Sequence, residues 1–179
     1  MRQFSDISAF LRHMAVIAAK ASLTEATALR DAGRIIQADA QARLGHYQDA
    51  AGPFPPWEEL AEITKEERAR LGYAPNDPLL RSGTLREHIE LQFDGKEAAV
   101  GVPDVEVGDG SPENEFRNIG EIAMAMELGG HSPPRPFLGP AAFEKGHAAV
   151  AQMAVVLTDA VAGQRYNSAP TKEQDQIPF

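Results

Sequence analysis

The sequence predicts an α+β fold in which a small antiparallel sheet packs against amphipathic helices from both ends of the chain. Three observations predict it. Apolar residues recur at helical spacing through the first 45 residues and again over 141–161. Between them, Leu85, Ile89, Leu91 and Phe93 alternate with Arg86, His88, Glu90 and Gln92, the period of a strand with one buried face. Asp94-Gly95 then supplies a hairpin turn signal.

At the start, Ser5 or Asp6 is placed to cap a helix whose stripe is Ile7, Phe10, Leu11, Met14, Ile17 and Ala18. Ser22-Leu23-Thr24-Glu25 then has capping-box spacing, in which Ser and Glu each satisfy a free backbone N–H. A second stripe follows through Ala28, Leu29, Ala32, Ile35 and Ile36. Two helices, or one kinked helix, are expected to end near Gly45. Next, Gly52, Pro53, Pro55 and Pro56 force extended or turn backbone before Trp57. Short helical turns are expected at 58–63 and 64–71, the second stopping at Gly72, with a loop to Pro78.

Residues 82–93 read as the main strand, but Glu87 breaks the alternation and leaves its first residues open to a helical turn. Residues 97–102 return as its partner, giving a hairpin near 84–102. The acidic, turn-rich run 103–117 reads either as a surface loop or as a long extension of that hairpin. Ile122, Ala123 and Met126 place a helix over 119–128, stopped by Gly129-Gly130. A rigid proline-rich connector spans 131–140. The last helix, over 141–161, carries Phe143, Val150, Met153, Ala154 and Leu157. Residues 1–162 thus form one domain, and 163–179 a polar tail ending Ile177-Pro178-Phe179. There is no internal repeat.

Composition narrows the function classes. The chain has 179 residues, 43% of them hydrophobic. A domain of that length buries roughly 70% of its unfolded surface and needs no metal or disulfide to fold. Cysteine is absent, which removes disulfides, thiolate metal sites and cysteine nucleophiles and fits a reducing cytoplasm. No apolar run approaches membrane-helix length, and Asp6, Arg12 and His13 within the first apolar stretch argue against a signal peptide. With 17 basic and 26 acidic side chains, the formal net charge is -9, the wrong sign for gripping nucleic acid through its phosphates.

Residues that carry chemistry do not gather. His13, His46, His88, His131 and His147 are scattered, without the i, i+4 pair of metallohydrolases. His88-Ile89-Glu90 opens like a zinc-deaminase pattern that would need cysteine ligands. Pro103-Asp104 with Glu106 is a fragment of a metal-dependent nuclease core, but Gly108 stands where that core places Lys. Gly108-Asp109-Gly110 is not a phosphate loop, and there is no Gly-x-Ser-x-Gly elbow. Glu58-Glu59 and Glu66-Glu67 read as solvated helical faces. The expectation is a non-catalytic protein with no cofactor and no metal.

Three ordered segments carry a resemblance. The first is Trp57-Glu58-Glu59-Leu60 with Thr64 and Gly72. The second is Pro78-Leu79-Leu80-Arg81-Ser82-Gly83-Thr84-Leu85. The third is Ala125-Met126-Glu127-Leu128-Gly129-Gly130 with Pro133-Pro134-Arg135-Pro136-Phe137-Leu138. Over roughly residues 20–160 the chain resembles the neck and tail-completion proteins of tailed bacteriophages, also described as virion morphogenesis or minor tail proteins. Their fold is similar to that of lambda-type tail terminators.

The resemblance implies a structural subunit, made in the host bacterial cytoplasm, that forms a ring, usually sixfold, in the virion neck. Its partners would be other copies of itself and the adjacent head-connector and tail-tube proteins, with DNA only as passing cargo and no membrane. A negative channel wall would let that DNA slide. The expected assembly and packing residues are Trp57, Leu79, Leu80, Gly83, Leu85, Glu127, Gly129, Arg135, Pro136, Phe137 and Leu138. Within them, the rigid Pro-Arg-Pro setting suggests that Arg135 pairs with Glu127, within or between subunits. Glu127 is also placed to hold a backbone amide at its helix end. Ile177 and Phe179 are candidates to dock on a neighbouring subunit. The alternatives are a tail-assembly chaperone or another small virion protein, and, further off, a metal-dependent hydrolase.

Overall fold

The computed structural model describes residues 7–108, 116–130 and 132–161. Its class is α+β, with five helices and two small antiparallel hairpins among those residues. Helix α1 (Ile7–Arg43) runs unbroken for 37 residues, about 55 Å at the helical rise. Of the two readings, two helices or one kinked helix, the first is corrected: the chain is not interrupted at Ser22–Glu25. A capping-box signal is local, and here the chain simply continues as helix, with Thr27 Oγ1 donating back to Leu23 O at 2.9 Å.

After α1 the chain is extended around Trp57, and α2 (Glu62–Arg70) is one helix rather than the two short turns expected. Residues 58–61 stay non-helical. Helix α3 (Thr84–Glu87) occupies the first part of the expected strand. Gly83, at φ 90°, takes the left-handed conformation that a side chain would disfavour and turns the chain into α3. Glu87, the mismatch in the alternation, lies within this turn.

The strand proper, β1 (Glu90–Phe93), pairs with β2 (Ala98–Gly101) in the register Glu90↔Gly101 to Phe93↔Ala98. Asp94 closes the turn: its Oδ1 accepts the Lys96 and Glu97 N–H groups, both at 2.8 Å. The run 103–117 is neither a plain loop nor an extension of this hairpin. It contributes β3 (Glu106–Gly108), which pairs with β4 (Phe116–Asn118) as a separate ladder. Its tip lies outside the described residues.

Helix α4 (Ile119–Leu128) matches its expected span. Asn118 caps it by accepting the Glu121 N–H at 3.1 Å, and Asp104 in turn accepts from the Asn118 amide. Helix α5 (Leu138–Val161) begins three residues earlier than expected, within the connector, because Pro140 fits the first turn of a helix where no N–H is needed.

The two long helices lie antiparallel, with the end of α1 against the start of α5. Arg43, only 7% exposed, joins them. Its Nε donates to Asp39 at 2.8 Å and its guanidinium reaches Glu144 at 2.5 Å, while Lys145 meets Asp39 at 3.2 Å. The first hairpin lies on α1. A Cβ at Gly33 would stand 2.5 Å from Leu91 Cδ1, so only glycine admits this approach without a shift. Gln37 Nε2 also donates to Ile89 O at 2.8 Å. The core gathers Ala40, Leu44, Trp57, Leu85, Ile89, Ile119, Ala123, Phe137 and Ala141.

Candidate functional site

The first and third of the segments that carry the resemblance meet at one buried junction, where the α4–α5 connector crosses the Trp57 segment, and the second shares the core beneath it through Leu85 and Leu79. The junction is held by side chains bonding to main chain. Trp57, 6% exposed, donates its indole N–H to Pro136 O at 3.0 Å. Arg135, also 6% exposed, reaches the other way and donates to Glu58 O at 3.1 Å and Glu59 O at 3.5 Å. Its own backbone N–H bonds Met126 O at 2.6 Å. Prolines on either side fix the backbone of this stretch, which keeps the guanidinium aimed at those carbonyls.

Glu127 sits at the end of α4 and faces the start of α5. Its Oε2 accepts the N–H groups of Phe137 at 2.8 Å and Leu138 at 3.0 Å, and its Oε1 accepts that of Gly139 at 2.7 Å. A helix leaves its first four N–H groups without internal partners. Here the carboxylate takes three, and the fourth position is Pro140, which has none. Ala141 then makes the first regular bond, to Phe137 O at 3.4 Å. A full negative charge at a helix N-terminus is also favoured by the helix dipole.

The expected Arg135–Glu127 pair is therefore corrected within the chain. Each side chain has a different set of partners, and all of them are backbone groups. Glu127 takes the backbone-amide role that the sequence left open for it. Phe137 is fully buried beneath the junction, Leu85 and Leu79 belong to or pack on the same core, and Gly129 ends α4 at φ 82°. Leu80 packs elsewhere, close to Gly45 at the end of α1. Ile177 and Phe179 lie outside the described residues.

Among the described residues, no group of three or more His, Asp and Glu side chains comes together as a metal site. No helix among them is long and apolar enough to cross a membrane. Sequence reasoning gave no role to Arg68, Arg81 and Arg117, which the fold brings to one cavity beside the junction. They come from three separate segments, so no spacing rule links them. No family model, curated protein or solved structure matches the chain.

Proposed function

We propose that the chain is a structural subunit of a ring in the neck or tail end of a phage particle, completing the tail or joining it to the head connector. The observation that carries this reading is the junction between the first and third motif segments, with the second packed on the same core. Residues with no evident chemical task, Trp57, Glu127 and Arg135, are spent on fixing the chain path between α4 and α5. That is the use expected of a motif that defines a scaffold rather than a reaction.

Two further features support it. Ile7, Leu11, Val16 and Leu23 on α1 and Val150 and Val155 on α5 are exposed, and such apolar surface suits contacts between copies. The net charge of -9 suits a channel wall that DNA passes without adhering. In this reading the ring is sixfold and its neighbours are head-connector and tail-tube proteins.

The test is a stop codon in this gene in its parent genome, followed by electron microscopy of the induced lysate and mass spectrometry of wild-type particles. Filled heads lying apart from tails, or tails of abnormal length, are expected, with the protein present in finished virions. Normal infectious particles would refute the proposal. Defective tails with the protein absent from wild-type virions would point to an assembly chaperone instead.

A further inference from the structure

A cavity of about 280 Å³ opens between α2, the turn before α3, the β3–β4 hairpin and α4. Its floor is apolar, built from Leu79, Leu85, Val107, Ile119, Ile122 and Met126. Arg68, Arg81 and Arg117 stand around it with the Ser82 and Thr84 hydroxyls, and no Asp or Glu is among the described residues that line it. In a chain with nine more acidic than basic side chains, Arg68 and Arg81 face one opening that no described carboxylate lines.

Several details indicate a site built for a guest. Arg81 Nε is buried and has no hydrogen-bond partner, although its guanidinium stacks over the Tyr73 ring at 5.1 Å. A buried N–H without an acceptor is costly to keep, and it is satisfied when a ligand brings one. Arg68 is held at the cavity by donating to Asp77 O at 2.5 Å. Burial, then the neighbouring Arg81 charge, pushes its pKa down, and the Asp77 charge only partly opposes this. Leu79, on the floor, is the non-glycine residue with left-handed backbone among the described residues, at φ 58°. Such strain gathers at ligand sites.

We propose that this cavity binds a carboxylate carried on a small apolar body, the carboxylate on Arg81 and Arg68 and the body on the leucine, isoleucine and methionine floor. A planar guanidinium fork matches a carboxylate, and the apolar floor disfavours a bare, strongly hydrated anion such as phosphate. The volume equals the share of roughly nine waters, which suits a benzoate-sized group. The carboxylate comes either from a free organic acid or from the chain end of a peptide. This inference does not rest on the neck reading, and either can fail alone.

The test follows the arginine Nε–H signals of the ¹⁵N-labelled protein while benzoate, benzamide, inorganic phosphate and N-acetyl-Leu-Phe are added separately at millimolar levels. Benzoate or the dipeptide is expected to shift the Arg81 signal in a saturable way, the tighter of the two naming the source. Benzamide and phosphate are expected to bind at least roughly tenfold more weakly, the loss of one charge-assisted interaction. Arg81→Lys, shown folded by circular dichroism, is expected to weaken the acid by a similar factor. Arg68→Lys, at the other arginine assigned to the carboxylate, repeats the comparison if Arg81→Lys does not fold. Equal binding of benzamide or phosphate, no movement of the Arg81 signal with any probe, or unchanged affinity in a folded variant would each overturn the proposal.

Discussion

Replacing Glu127 with glutamine tests the junction at its most heavily used atom pair. The two carboxylate oxygens accept three N–H groups at 2.7 to 3.0 Å, two on Oε2 and one on Oε1. Glutamine has one acceptor oxygen. In its better orientation that oxygen keeps Phe137 and Leu138, and its NH₂ then faces the Gly139 N–H, donor against donor. Losing one charge-assisted bond and leaving a donor unpaired costs about 1.5–3 kcal/mol. Losing the negative charge at the start of α5 costs about 0.5–1 kcal/mol more. The neutral amide recovers part of this because it is cheaper to bury. The net expectation is about 2 kcal/mol, or a fall of about 4–8 °C in Tm for a chain of this size. Glu127→Ala, which leaves all three donors bare, is expected to cost about 3 kcal/mol or more. Urea unfolding followed by circular dichroism at fixed protein concentration measures both, since assembly would otherwise add a concentration-dependent term. If Glu127→Gln lies within about 0.5 kcal/mol of wild type, the capping argument is wrong.

Trp57→Phe removes the donor to Pro136 O and leaves that buried carbonyl unpaired. A loss of about 2 kcal/mol is expected by the same urea assay, and an unchanged midpoint would remove the indole from the account. The Asp94 carboxyl is held below its ordinary pKa of 3.8, first by the Lys96 and then by the Glu97 backbone N–H. Because the folded value is the lower one, its contribution to the hairpin is complete above the ordinary value and is lost as pH falls through the folded value. A side-chain NMR titration should give a midpoint below 3.8, and one at or above it would show that the turn does not hold the carboxylate.

Those elements whose signals are local side-chain patterns were legible in the sequence. Helix α4 follows from the spacing of Ile122, Ala123 and Met126 and from the stop at Gly129, and the first hairpin follows from Asp94-Gly95. Where the reading failed, two local signals competed. Ser22-Leu23-Thr24-Glu25 has the residues of a helix start, but a cap forms only where the chain enters from outside a helix. Within 82–93 the alternation overran α3, and Glu87 was the sole sign that four residues there are helical. The β3–β4 ladder is three residues long on each side, too short for any period to register.

The junction was half legible for a different reason. Sequence patterns mark side chains, and Trp57, Glu127 and Arg135 could all be singled out as side chains in unusual settings. Their partners could not, because each one is a peptide group, and every residue carries those. Charge pairing suggested itself for Arg135 and Glu127 because opposite charges are visible in a sequence while carbonyls and amides are not. This has a consequence for substitution. A side chain bonded to main chain constrains only its own identity, whatever residue supplies the backbone group. Loss of Glu127 therefore cannot be restored by changing Phe137 or Leu138, whose N–H groups remain in place and unpaired. An Arg–Glu pair, by contrast, could be rebuilt by exchanging both members. Stability measured on the double exchange Glu127→Arg with Arg135→Glu separates the two cases. If it recovers wild-type stability, the side chains act as a pair. The geometry predicts instead that the exchange costs at least as much as the worse single change, since arginine offers no acceptor to α5 and glutamate no donor to Glu58 O.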